Sequence, residues 1–176
     1  WHVVIDARDP AALAGAARGL RPDRLTAVPG DVAEPSHRAL LAAAVRRLGR
    51  LDLLANNAST LGPAPQPALA DLPVEDLAEI YAVNVLAPLA LAQTALPLLR
   101  RTGGVIVNVS SDAAVETYPG WGGYGSSKAA LDHLSGTLAA ENPGVRVYAV
   151  DPGEMATRML ASAMPGEDLS DRPSPA

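Results

Sequence analysis

Five short apolar runs, His2–Ala7, Leu25–Val28, Leu51–Asn56, Val105–Ser110 and Val145–Val150, punctuate this chain. The stretches between them have helical character, at about Pro10–Gly19, Pro35–Leu48, Leu72–Leu99 and Tyr124–Glu141. Runs that lack a polar alternation are the mark of strands buried on both faces, and parallel strands need crossovers long enough to hold a helix. The pattern predicts an α/β protein with a doubly wound parallel sheet of about five strands, covered on both faces by helices. Right-handed crossovers then bring the carboxyl ends of the strands to one edge, where ligands bind.

Polar residues gather at those ends: Ala7-Arg8-Asp9, Asp31, Asn56-Asn57, Ser110-Ser111-Asp112 and Asp151. One such residue often does no more than cap the next helix. Five in succession favour a binding crevice. A Pro-rich loop, Ser59–Pro67, follows the third run, and no internal repeat, linker or low-complexity tract appears. The 176 residues suit a single domain over 1–176 with a sizeable core. Phe is absent and aromatics make up 3% of the chain, so Ala, Leu and Val must build that core.

The net charge of −5 includes no basic cluster, which argues against nucleic acid or an anionic membrane as partner. No cysteine is present, so there is no disulfide, thiolate metal site or thiol nucleophile, as suits a reducing compartment. No metal-ligand spacing appears around His2, His37 or His133. No apolar run reads as a membrane span and no signal-peptide pattern opens the chain. A soluble, cytoplasmic protein is expected. The chain opens on Trp1 directly before a strand and ends in the turn-like Asp171–Ala176, and so reads as a piece of something longer.

Lys128 is the only lysine among fourteen basic residues. It follows Tyr124 by four residues, which places both on one helix face. An ammonium there could stabilise a phenolate and draw a tyrosine pKa of about 10 downward. Y-x-x-x-K is common by chance, but Ser111 lies just past an apolar strand thirteen residues upstream. A strand-end hydroxyl and a helix phenol can converge on one carbonyl oxygen. Asn84 interrupts an otherwise apolar helix, either as a tolerated polar residue or as a kink or water site facing the crevice. Gly120–Gly125 spells G-x-G-x-x-G, yet it lies about ten residues from the preceding strand. The dinucleotide fingerprint needs a tight strand-to-helix turn, so these glycines read as a flexible lead into the helix. Ser111 and His133 lack the G-x-S-x-G context of a hydrolase elbow.

Taken in order, these residues resemble the short-chain dehydrogenase/reductase family. Leu53–Ala58 resembles its "N-N-A-G" strand end with Ser59 in place of the glycine, Asn84 its helix asparagine, and Val107–Ser111 its serine strand. Tyr124 and Lys128 match its active-site pair, Asp151–Thr157 its "P-G-x-x-x-T" segment, and Asp31-Val32 the acidic pair bordering the adenine. The resemblance implies a Rossmann-like sheet and an NAD(P)-dependent oxidoreductase acting on a small carbonyl or alcohol. Tyr124 would be general acid/base, Lys128 would lower its pKa and bind the nicotinamide ribose, Ser111 would orient the oxygen, and Asn84 would hold a relay water. Cofactor contacts would fall to Arg8, Asp31, Val32, Asn57, Ala58, Tyr124, Lys128, Pro152, Gly153, Met155 and Thr157.

By the resemblance, Ala7 at the end of the first run stands where NAD-type members carry an acidic side chain, and Arg8 follows it, which favours NADP over NAD. Asp6 and Asp9 flank that site, and a register one residue different reverses the preference. Asp112, Glu116 and Trp121 are candidates for the substrate entrance, with surface roles as the alternative. The resemblance implies a homo-oligomer through helices 72–99 and 124–141. It also places a first strand and a T-G-x-x-x-G-x-G loop ahead of Trp1, the strand lying between the first and third runs. Without them the sheet is incomplete, with two open edges in its middle. The competing expectation is a truncated, non-catalytic product unable to bind cofactor by itself.

Overall fold

In the computed structural model, which describes residues 1–174, all five expected strands form: β1 Val3–Ala7, β2 Leu25–Pro29, β3 Leu53–Asn56, β4 Val105–Val109 and β5 Arg146–Val150. The helices are α1 Pro10–Ala17, α2 Pro35–Leu48, α3 Val74–Tyr81, α4 Ala87–Thr102, α5 Gly122–Glu141 and α6 Arg158–Ala163. Every strand pair is parallel, and the architecture is Rossmann-like. The strands fall into two sheets, β1-β2 and β3-β4-β5. β1 and β3 line opposite parts of a groove of about 380 Å³, together with Leu41 and Val45 of α2 and Leu91 and Leu98 of α4.

Local chemistry explains where the helices begin and end. The Asp9 carboxylate accepts from Ala11 N and Ala12 N, and Pro10 takes the first turn of α1, where its missing N–H costs nothing. Gly49 and Gly103 close α2 and α4 in the left-handed conformation, which glycine adopts without a Cβ clash. α6, absent from the sequence expectation, starts at Thr157, whose hydroxyl accepts from Leu160 N.

The core sits where α4 and α5 cover the second sheet. Ala92, Leu96 and Leu99 of α4, Leu138 of α5 and Val145 surround Ile106, with Leu54 and Val147 beside it in register. One residue pair further along, the same face turns polar. Asn56 Nδ2 donates to Asn108 Oδ1 at 2.7 Å, and Asn108 Nδ2 donates to Ser135 Oγ of α5 at 2.7 Å. All three side chains are buried, so each bond spares a desolvated group and fixes α5 against the strand ends. On the opposite face, Leu53, Tyr148 and Val150 are exposed, so helices cover this sheet on one side rather than both among the described residues.

The predicted helix 72–99 is three pieces. Between α3 and α4, Ala82–Leu86 adopts a π turn, with the Ala87 N–H reaching back to Ala82 O. The combined stretch Val74–Thr102 is long and apolar enough to span a bilayer by length and composition, with mean hydropathy 1.6 over its most apolar window. This corrects the expectation that no such run exists. Here it is the central packed helix, carrying Ile80, Val85, Ala92, Leu96 and Leu99 inward and the buried Asn84 at its middle.

Candidate active site

β4 ends at Val109, and the chain delivers Ser110 and Ser111 to the carboxyl edge of the sheet. Ser111 caps a short 3-10 turn, Asp112–Ala114, by accepting from Ala113 N. α5 must then pass very close to that turn. A Cβ at Gly125 would lie 2.6 Å from Ala113 O, so glycine is the residue that lets the helix approach. Gly123 plays the same part against Leu72 and Ile80. Gly122, Gly123 and Gly125 thus belong to the first turn of α5 and serve close packing, where the sequence suggested a flexible lead into the helix.

The approach brings Tyr124 and Lys128 beside Ser111 on one cavity of about 430 Å³. Asn57, Ser59, Ser110, Asp151–Met155 and Thr157 line it too, with Leu61, Met159 and Leu160 as its apolar part. Tyr124 is 8% exposed. Burial pushes its phenol above the ordinary value, hydrogen bonding with Ser111 and Ser59 pulls it back, and Asp112 and Asp151 add to the rise. The expected depression of this group does not occur in this arrangement. Burial of the phenol itself is the main reason. Lys128 is buried as well, and its ammonium is brought down to about 8. Its Nζ donates to Val109 O at 2.7 Å and stands 5.4 Å from the Tyr124 ring centroid.

Asn84 is fully buried and its amide faces protein, not the cavity. Oδ1 accepts from Ser59 Oγ and Thr60 N, while Nδ2 donates to Thr60 O and Ser127 Oγ. Its side chain is therefore saturated, and it ties the loop after β3 to the residue preceding Lys128. A water relay at this position would have to use its backbone, which the π turn displaces from α-helical register. Trp121 and Asp112 line the cavity as expected, but Glu116 does not. Ser127 was passed over in the sequence, and Ser59 and Ser110 were noted there without a site role, because only their long-range neighbours mark them.

The remaining cofactor candidates lie at the ends of β1 and β2. Asp6 is engaged by His37 Nε2 at 3.2 Å and Asp9 caps α1, which leaves Arg8 as the uncommitted side chain of that trio. Asp31 accepts from Ala33 N, and Val32 is buried behind it. Ala58 adjoins Asn57 at the end of β3. The donor set suits the nicotinamide half of NAD(P): Ser110 Oγ is buried without a partner on this cavity, beside Tyr124, Lys128 and the 151–157 segment. No glycine-rich phosphate loop lies among the described residues.

The hydroxyl, phenol and ammonium thus share one cavity at the strand ends of a parallel, Rossmann-like α/β fold. The sequence signature of the short chain dehydrogenases matches residues 1–168, and the chain belongs to that family. It is 41% identical over 138 residues to an uncharacterized oxidoreductase of Saccharomyces cerevisiae, covering 78% of this chain and 54% of that protein. The chain thus spans about half the length of that curated relative. A short-chain dehydrogenase structure from Pseudomonas syringae superposes with a TM-score of 0.91 at 34% identity, over 99% of this chain and 74% of the other. An alcohol dehydrogenase from Thermococcus sibiricus, complexed with 5-hydroxy-NADP, superposes at 0.82 with 30% identity, over 94% of this chain and 70% of the other.

Proposed function

We propose that the protein is an oxidoreductase that moves a hydride between a nicotinamide cofactor, NADPH in preference to NADH, and a small carbonyl or alcohol. The observation carrying this reading is the convergence of Ser111, Tyr124 and Lys128 with the 151–157 segment on one cavity. Bound nicotinamide supplies the hydride in reduction and accepts it in oxidation. Tyr124, held protonated by burial, is the general acid that gives its proton to the carbonyl oxygen. Lys128, still mainly an ammonium at neutral pH, opposes the charge left on the phenol and binds the ribose. Ser111 orients the reacting oxygen and offsets its developing charge. Asn84 holds the loop after β3 against α5 and, through its backbone, the relay water.

The cofactor preference rests on Arg8. With Asp6 and Asp9 spent on His37 and on the α1 cap, no acidic group at this strand end is free to grip a ribose 2′-hydroxyl, whereas a guanidinium suits a 2′-phosphate. Asp31, Val32, Asn57, Ala58, Pro152, Gly153, Met155 and Thr157 complete the proposed cofactor contacts. The chain is part of a single cofactor-binding domain and works as a cytoplasmic homo-oligomer through α3–α4 and α5. Sedimentation showing only monomer at micromolar concentration would remove that last part.

Tyr124→Phe, made in the complete reading frame, tests the assignment. Turnover should vanish while NADPH binding, read by cofactor fluorescence, persists. Near-normal turnover in this variant would sink the proposal.

A further inference from the structure

Asp112 takes no part in the chemistry above, yet it touches the machinery on both sides. Its Oδ1 accepts from Ser111 Oγ at 2.9 Å and from Ala113 N at 2.7 Å, and its Oδ2 accepts from Tyr118 OH at 2.9 Å. Tyr118 in turn meets Trp121 edge-to-face, with ring centroids 6.2 Å apart, and Trp121 meets Tyr124 in the same way at 5.8 Å. Ser111, Asp112, Tyr118, Trp121 and Tyr124 therefore form a continuous chain of contacts beside the cavity. Although Asp112 is exposed, its carboxylate is fixed from both oxygens.

A serine hydroxyl carries a single proton. We infer that Asp112, clamped by Tyr118, is a positioning residue that turns the Ser111 proton away from the place of the reacting oxygen. The inference rests on the reading of Ser111 and Tyr124 given above. Held in this way, Ser111 accepts from the Ala113 N–H while its proton lies on Asp112, so Asp112 competes with the Tyr124 oxygen for that proton. A hydrogen bond to a carboxylate is roughly twice as strong as one to a neutral carbonyl. Ser111 thus stays on Asp112 while the substrate oxygen is neutral, and its proton turns over only as negative charge builds there. Such a donor favours the transition state over the ground state, the requirement for raising turnover.

The same clamp sets one carboxylate opposite the phenol. The charged groups facing Tyr124 are Lys128 on its own helix, Asp112 on the turn after β4 and Asp151 after β5. Burial works against ionisation of Asp112. Hydrogen bonds from Ser111, Tyr118 and the Ala113 N–H outweigh it and hold the carboxyl below its ordinary range. Asp112 is therefore an anion wherever Tyr124 titrates.

Two variants separate clamp from charge. Asp112→Asn removes the charge but keeps an acceptor for Ser111, whereas Asp112→Ala also frees the Ser111 proton to turn toward Tyr124. The alkaline phenolate absorbance of each, minus that of the same variant carrying Tyr124→Phe, isolates the Tyr124 midpoint without any substrate or cofactor. The midpoint should fall by about half a pH unit in the Asn variant and by about one unit in the Ala variant. In a Ser111→Ala background the two variants should fall equally. Equal falls with Ser111 present, or no fall at all, would overturn the inference. Failure of the underlying reading shows separately, as turnover that survives Tyr124→Phe.

Discussion

Replacing Lys128 by methionine removes a charge from a place where the fold pays heavily to keep one. Lys128 is 2% exposed, and burial takes its ammonium from an ordinary 10.5 to about 8. At about 1.4 kcal/mol per pH unit, holding it charged at neutral pH costs roughly 3 kcal/mol. The bond from Nζ to Val109 O returns part of this, about 1 kcal/mol net. The methionine variant should therefore be more stable than the parent by about 2 kcal/mol near pH 7. The pH dependence has a fixed sign. With the folded pKa below the unfolded one, the unfolded chain binds more protons between about 8 and 10.5, so the parent gains stability as pH rises through that window. By about pH 9.5 the parent should have recovered roughly 2 kcal/mol and the difference should close. Urea denaturation followed by circular dichroism, run near pH 7 and near pH 9.5, measures both gaps. A variant less stable than the parent at neutral pH would refute the reasoning, as would a gap that ignores pH. The same substitution should eliminate turnover, so a residue costly to the fold would be kept for its charge.

Three further substitutions probe the scaffold and the cofactor end. Gly125→Ala forces a Cβ to 2.6 Å from Ala113 O, and should destabilise by about 1–3 kcal/mol while separating Tyr124 from Ser111. A thermal melt unchanged from the parent would contradict this. Asn108→Ala strands the buried Asn56 amide and loosens Ser135, at a cost of about 1–3 kcal/mol in denaturant titration. Wild-type stability would show that this polar chain holds nothing. Arg8→Ala in the complete protein should weaken NADPH binding roughly tenfold while leaving NADH nearly unchanged, since a charge-assisted bond is worth about 1.5–3 kcal/mol. Equal losses for both cofactors would remove Arg8 as the selector.

Strand cores and most helix limits could be read from the chain because they depend on neighbours in sequence. Continuous apolar runs gave β1 to β5 to within two residues. The caps at Asp9, Gly49 and Gly103 were local signals as well, and so was Thr157, which should have revealed α6. The π turn was not legible. Asn84 showed as a polar interruption, but widening the helix there depends on Ser59, Thr60 and Ser127, which lie up to 43 residues away. The Tyr124 shift was read in the wrong direction for a similar reason. Spacing placed the lysine on the correct helix face, but burial of both groups is set by how closely α5 meets the turn after β4. The clamp on Asp112 needed Tyr118 and Trp121 folded back over Ser111, which no periodicity announces.

The proposed cofactor selector and the proposed proton-transfer residues stand on different strands of the fold. Arg8 directly follows β1, whereas Ser111 follows β4, Tyr124 and Lys128 lie on α5, and Asn84 lies in the π turn between α3 and α4. Grafting the β1–β2 segment of an NADH-preferring relative onto this chain would exchange its coenzyme economy while leaving its proton chemistry in place.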